Sequence, residues 1–205
     1  MKKIVIGAVV ALLVLAYPAA TWWTGKQVEA RLADNARQLE DVPFLKVVKR
    51  DFNRGLRSST EDVTIELFGG MRQALEQARK DDPAAKAAAD VLLPLVLTFR
   101  STIQHGPFAG GEVVAAVADT ELVFDAKTNE ALAKAFGDKK PLTARTVFDY
   151  SGGGRTAMQS PAMSTTVKGE AGEMLAIAWD GMTTDGDFSA NMKRATMNGK
   201  APKFE

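Results

Sequence analysis

A chain of 205 residues has room for one domain and a short appendage. Its 26 basic and 25 acidic residues balance, which excludes the clustered basic face expected of a nucleic-acid-binding protein. With no cysteine, disulfides, thiolate catalysis and the usual zinc frameworks are excluded as well.

The chain opens with Lys2 and Lys3, followed by an uncharged run from Ile4 to Trp23. Twenty helical residues at about 1.5 Å each span roughly 30 Å, the thickness of a bilayer's hydrocarbon core. Trp22 and Trp23 close the run with Tyr17 nearby, as an aromatic belt would, and the two lysines hold the short N-terminal side in the cytoplasm. A cleaved signal peptide is the rival reading. It fits less well, because a cut after Ala20 or Ala19 sets Pro18 or Tyr17 three positions before the bond, where a small residue is wanted. In both readings the body lies outside the cytoplasm. Residues 1–25 are therefore expected as a single-pass transmembrane anchor, 26–42 as a juxtamembrane stalk helix and 43–205 as a β-rich extracytoplasmic domain.

In the stalk, Val28, Leu32, Ala36 and Leu39 form one helical stripe. Packing on its own domain is the first reading of that stripe, and pairing in a homodimer the second. Beyond Pro43 the period changes to two. Val63, Ile65 and Leu67 alternate with Thr64 and Glu66, and Leu95, Leu97, Phe99 and Ile103 with Thr98, Arg100 and Thr102. Further strands are expected at "ELVFD", "LTARTVFDY", "STTVKG", "MLAIAWDG" and "DFSANMKRA", with turns at "SGGG", "KGEAGE" and "DGMTTDGD". One helical insertion is expected over "GMRQALEQARKDDPAAKAAADVLL", and a second over "TNEALAKAFG", capped by Thr128 and ended by Gly137. The fold class is α+β, dominated by one twisted antiparallel meander.

Five stretches carry a resemblance. "WWTGKQVEARL", "DFNRGLRSST" and "IQHGPF", followed by "FDYSGGG" and "WDGMTTDG", resemble segments of the YdgA family. The resemblance implies a bacterial, inner-membrane-anchored periplasmic protein, and it carries no assigned catalytic residues. Members of that family are longer, so a truncated chain or a short branch is expected.

Candidate chemistry centres on His105, the only histidine, set before Gly106, Pro107 and Phe108. As a general base it needs a nucleophile and an orienting carboxylate, and no Gly-x-Ser-x-Gly elbow is present. As a turn, Gly106 takes positive φ, Pro107 fixes the next φ, Phe108 drops back into the core and His105 bonds a neighbouring loop. The turn is the preferred reading. One histidine cannot furnish a zinc set. Asp180, Asp185 and Asp187 lack the EF-hand spacing for calcium and read as turn residues. Arg50, Arg54 and Arg57 surround Phe52 and could meet lipid headgroups, or belong to an amphipathic strand that turns at Arg54-Gly55. No catalytic, cofactor or metal residue is assigned. The expected protein is a non-enzymatic envelope module with a lipid or protein ligand; the competing expectation is an envelope hydrolase that uses His105.

Overall fold

The computed structural model describes residues 2–40, 42, 44–68, 95–168, 174–190 and 193–200, with the side chains of residues 2–15, 40, 95, 127, 131, 167, 168 and 175 outside that description. Helix α1 runs unbroken over Lys2–Glu40, with Pro18 inside it. The expected anchor and stalk are thus one helix with no break at residue 25. Among the described residues no helix is long and apolar enough to cross a membrane. The larger part of the Ile4–Trp23 run falls on side chains outside the description. So does the whole helical insertion expected after Gly70.

Among the described residues ten strands follow: β1 (Leu45–Arg54), β2 (Ser58–Leu67), β3 (Leu95–His105), β4 (Ala116–Val123), β5 (Thr143–Phe148), β6 (Gly154–Ser160), β7 (Met163–Lys168), β8 (Met174–Trp179), β9 (Met182–Phe188) and β10 (Ala195–Gly199). Helix α2 (Ala126–Phe136) sits between β4 and β5. Eight strands form one sheet in the order β1-β2-β3-β4-β5-β6-β9-β10, antiparallel throughout, while β7 and β8 pair as a separate hairpin. The expected α+β meander is what forms. Each short connection lets a strand pair with its sequence neighbour, which favours antiparallel pairing over crossovers.

Several boundaries differ from the sequence expectation. The segment "DGMTTDGD", read as a turn, is mostly strand β9, with Asp185 and Asp187 exposed and Gly186 buried between them. Its inward positions are Met182, Thr184, Gly186 and Phe188, and the Thr and Gly at the centre break the apolar alternation that would mark it. The expected strand "DFSANMKRA" is instead split: Asp187 and Phe188 end β9, Ala195 begins β10, and the Ser189 N–H bonds the Arg194 carbonyl between them at 2.9 Å, with residues 191–192 outside the description. Strand β6 begins at the last glycine of "SGGG" and has no counterpart in the expectation. Helix α2 is capped by Asp125 rather than Thr128: its carboxylate accepts the Thr128 N–H at 2.8 Å. Gly137 ends it at φ 63°, as expected.

Helix α1 lies on one face of the sheet, against β1, β3 and β4. There Val28, Ile103, Ala116 and Ala118 form a buried cluster, joined by Leu32, Phe52 and Phe148. The first half of the stalk stripe therefore packs on its own domain, while Leu39 stays exposed. The opposite face carries the ion pairs Arg100–Asp62 and Arg145–Asp119, as a solvated face should. At one end of that face the β3–β4 connection folds back, burying Ala109 and Val114 on Val117 and Val147.

This fold-back corrects the expectation for Phe108. Its ring is 63% exposed, and Ala109, at 1%, takes the core position instead. With Gly106 redirecting the chain, the register after Pro107 turns one residue later than the sequence suggested. Phe108→Ala should consequently change stability by no more than about 0.5 kcal/mol. Ala109→Leu, which forces extra methylenes into a filled site, should cost about 1–3 kcal/mol. Chemical denaturation of both variants checks the order.

Candidate functional site: a buried histidine beneath the first helix

Strand β3 ends at His105, and its alternation points that side chain to the face covered by α1. The imidazole is 3% exposed. Its Nε2 lies 3.0 Å from the Ser59 hydroxyl of β2, and its Nδ1 lies 3.3 Å from the Thr21 carbonyl of α1. A carbonyl can only accept, so Nδ1 carries the proton and Nε2 accepts from Ser59. The imidazole bonds a helix and a strand rather than a neighbouring loop; only the residue's backbone N–H reaches one, donating to the Arg57 carbonyl in the β1–β2 turn at 3.0 Å.

The helix side of this seat is built from small residues. Among the described side chains of α1, Thr21, Thr24, Gly25 and Val28 are the buried ones, spaced so that one face meets the sheet. Thr21 donates its hydroxyl proton to the Tyr17 carbonyl at 2.7 Å, and Thr24 bonds the Ala20 carbonyl, so both hydroxyls are satisfied inside the helix. Gly25 lets the backbone rest on the ring: a Cβ there would lie 2.7 Å from His105 Cε1. Next to the seat, Gly106 has φ 128°, a conformation that favours glycine, and its Cβ position would lie a tight 3.1 Å from the Thr21 side chain. The Tyr150 hydroxyl donates to the Gly106 carbonyl at 3.2 Å. Pro107 follows, half-buried.

Burial holds the His105 pKa below its ordinary 6.5; the Thr21 bond partly opposes this, and the nearby Arg54 charge adds to it. Two residues beyond Ser59 on the same face of β2, Glu61 is buried at 5% and accepts from Arg50 Nε at 2.6 Å. Burial raises its pKa despite that guanidinium.

The expected arginine cluster is divided among partners. Arg50 lies against Phe52 and Glu61, Arg54 pairs with Glu29 at 3.0 Å and covers Trp22, and Arg57 covers the Tyr17 ring. Gly55 forms the tight β1–β2 turn, since a Cβ there would collide with the Ser58 carbonyl. The strand-and-turn reading of Arg54-Gly55 therefore describes the hairpin. Lys2 and Lys3 lie in α1 with side chains outside the description.

Ser59 and His105 are at the distance of a nucleophile and its base, yet two features oppose that use. The ring's other nitrogen faces a carbonyl, where the triad geometry has a carboxylate. Both groups are also sealed under α1, which leaves no approach for a substrate. What this arrangement does is join β2, β3 and α1 at one point. Sequence reasoning missed Thr21, Gly25, Ser59 and Glu61. A glycine within a helical pattern, as in "WWTGK", was the one signal for close approach.

Beside the seat, α1 and the end of β5 enclose an apolar cleft of about 190 Å3 lined by Trp23, Gln27, Arg31, Leu32, Phe148 and Tyr150. A broader hollow of about 490 Å3 on the open face holds Asp119, Glu121, Lys140 and Arg145, whose charges already pair with one another.

An antiparallel meander that grips one long N-terminal helix through a buried histidine defines an α+β protein with a helix clasped to its sheet. The chain belongs to DUF945, a family of bacterial proteins of unknown function, whose family model matches residues 1–205. No curated protein and no solved structure matches the chain.

Proposed function

We propose that this is a non-enzymatic cell-envelope module of the YdgA type, tethered to the bacterial inner membrane by α1 with its sheet in the periplasm, where it binds a lipid or protein partner. The observation that carries the reading is the grip on α1. One helix contains both the apolar run of the sequence and the buried Thr21–Val28 face, so tether and body form one unit. The sealed imidazole supports a structural role for His105 over the hydrolase alternative. The apolar cleft beside Trp23 supports a lipid acyl chain as ligand more than a charged metabolite. Self-pairing through the stalk stripe would have to use Ala36 and Leu39, since Val28 and Leu32 are engaged with the sheet.

A reporter active only in the periplasm, fused after Glu205, should be active, and the protein should stay with membranes through carbonate washing. Release of a soluble species lacking the first 20 or so residues would replace the tether with a signal peptide. Hydrolase turnover that disappears in His105→Ala, with the variant still folded, would reverse the non-enzymatic assignment.

A further inference from the structure

The grip on α1 also fixes where the body meets the bilayer, an inference that rests on the tether proposed above. A span of roughly 30 Å beginning at Ile4 ends at Trp23. Yet the body already holds the helix from Tyr17 onward. The Arg57 guanidinium bonds the Tyr17 hydroxyl at 3.4 Å, Thr21 is fully buried against Gly106, and Tyr150 bonds Gly106. Only Ile4–Ala16 lies ahead of that grip, 13 residues or about 20 Å of helix, which is about 10 Å too short to cross alone.

We infer that the body makes up the shortfall: the β1–β2 hairpin tip and the start of the β3–β4 connection enter the outer leaflet of the inner membrane beside α1, with phospholipid as their partner. The surface there has the required chemistry. Leu56 at the hairpin tip is 56% exposed and Phe108 is 63% exposed. On the helix between these loops Ala19 and Ala20 face outward, and Trp22 and Trp23 are 49% and 56% exposed. Aromatic rings at this level suit the headgroup boundary. Arg54, held by Glu29, lies over Trp22 and Arg57 over Tyr17 in the same zone, where the Arg57 guanidinium can bond lipid phosphate. Exposed Phe108, which makes no contribution to the core, thereby acquires a role.

The chain has no cysteine, so single cysteines can be placed without background. Leu56→Cys and Phe108→Cys, with Gln159→Cys on the open sheet face as control, are labelled with an environment-sensitive fluorophore. Each full-length protein is reconstituted into vesicles of phosphatidylethanolamine and phosphatidylglycerol. The expected result is a blue shift and loss of most emission to a lipid-borne quencher at positions 56 and 108, with neither change at 159. Flotation of the same samples reads the tether separately. Protein that floats while labels 56 and 108 behave like 159 leaves the tether standing and overturns the insertion. Labels shielded from water but untouched by the lipid-borne quencher indicate a protein cover and overturn it too. Protein that fails to float overturns both readings. Thermal melts of the labelled proteins confirm that each is folded.

Discussion

Gly25→Ala should lower the stability of this protein, although the same change in an exposed helix raises it by about 1 kcal/mol. The added methyl would lie 2.7 Å from His105 Cε1 and 2.9 Å from Nδ1, well inside contact distance. The ring cannot step aside easily because Ser59 and Thr21 hold both of its nitrogens. Overpacking of this kind costs about 1–3 kcal/mol, enough to reverse the propensity gain. The decisive measurement is a double-mutant cycle in detergent. In a His105→Ala background the methyl has room, so Gly25→Ala should there become neutral or stabilising, with a coupling on the order of 1–3 kcal/mol. His105→Ala by itself should be destabilising, since it empties a buried site and leaves the Ser59 hydroxyl without its partner. Additive effects of the two changes would mean that the helix is not seated on the histidine.

Acidification tests the same seat through its charge. The folded-state pKa of His105 lies below the ordinary 6.5, chiefly because the ring is buried. Below about pH 6.5 the unfolded chain therefore binds a proton that the folded chain resists, and stability falls as pH falls towards the folded pKa. Above that window the contribution is complete. The groups facing the ring add no anion to hold a proton: Arg54 from β1, Ser59 from β2 and Thr21 from α1, with Tyr150 beyond Gly106. Glu61 has the opposite sign. Its raised pKa makes folding favour its protonated form, so its contribution is lost as pH rises above about 4.5. Asp62 and Asp149 are lowered, by the Arg100 bond and the Ser151 hydroxyl respectively, so their contributions are lost only below about pH 3.8. Comparison with His105→Gln isolates the histidine. Between pH 6.5 and 5 the wild type should lose stability relative to the variant by at most about 1.4 kcal/mol per pH unit. Parallel stability curves across that interval would contradict a buried neutral imidazole.

Much of the sheet was legible before the structure. Strands β2 and β3 announce themselves because Val63, Ile65, Leu97 and Phe99 alternate with polar residues on a sheet with one covered face. Strands β6 and β9 were hidden for the complementary reason. Their inward positions include Thr156, Thr184 and Gly186, which carry no apolar signal and depend on neighbouring strands for their pairing. The His-Gly-Pro-Phe motif was legible as a turn because the backbone freedom of Gly106 is local chemistry. Its burial partners were not, since Thr21 and Ser59 lie 84 and 46 residues from His105 along the chain.

The sequence by itself determined the antiparallel character, the long apolar-to-amphipathic helix and the turns at Gly55, Gly106 and the "SGGG" stretch. All three follow from periodicity and from the φ preferences of single residues, which act over a few neighbours. Only the tertiary structure decided which face of α1 is buried, that Ala109 and not Phe108 enters the core, and that the lone imidazole is a clamp between helix and sheet. Those outcomes depend on steric fit between segments far apart in the chain, where a glycine opposite a ring counts for more than the hydrophobicity of either.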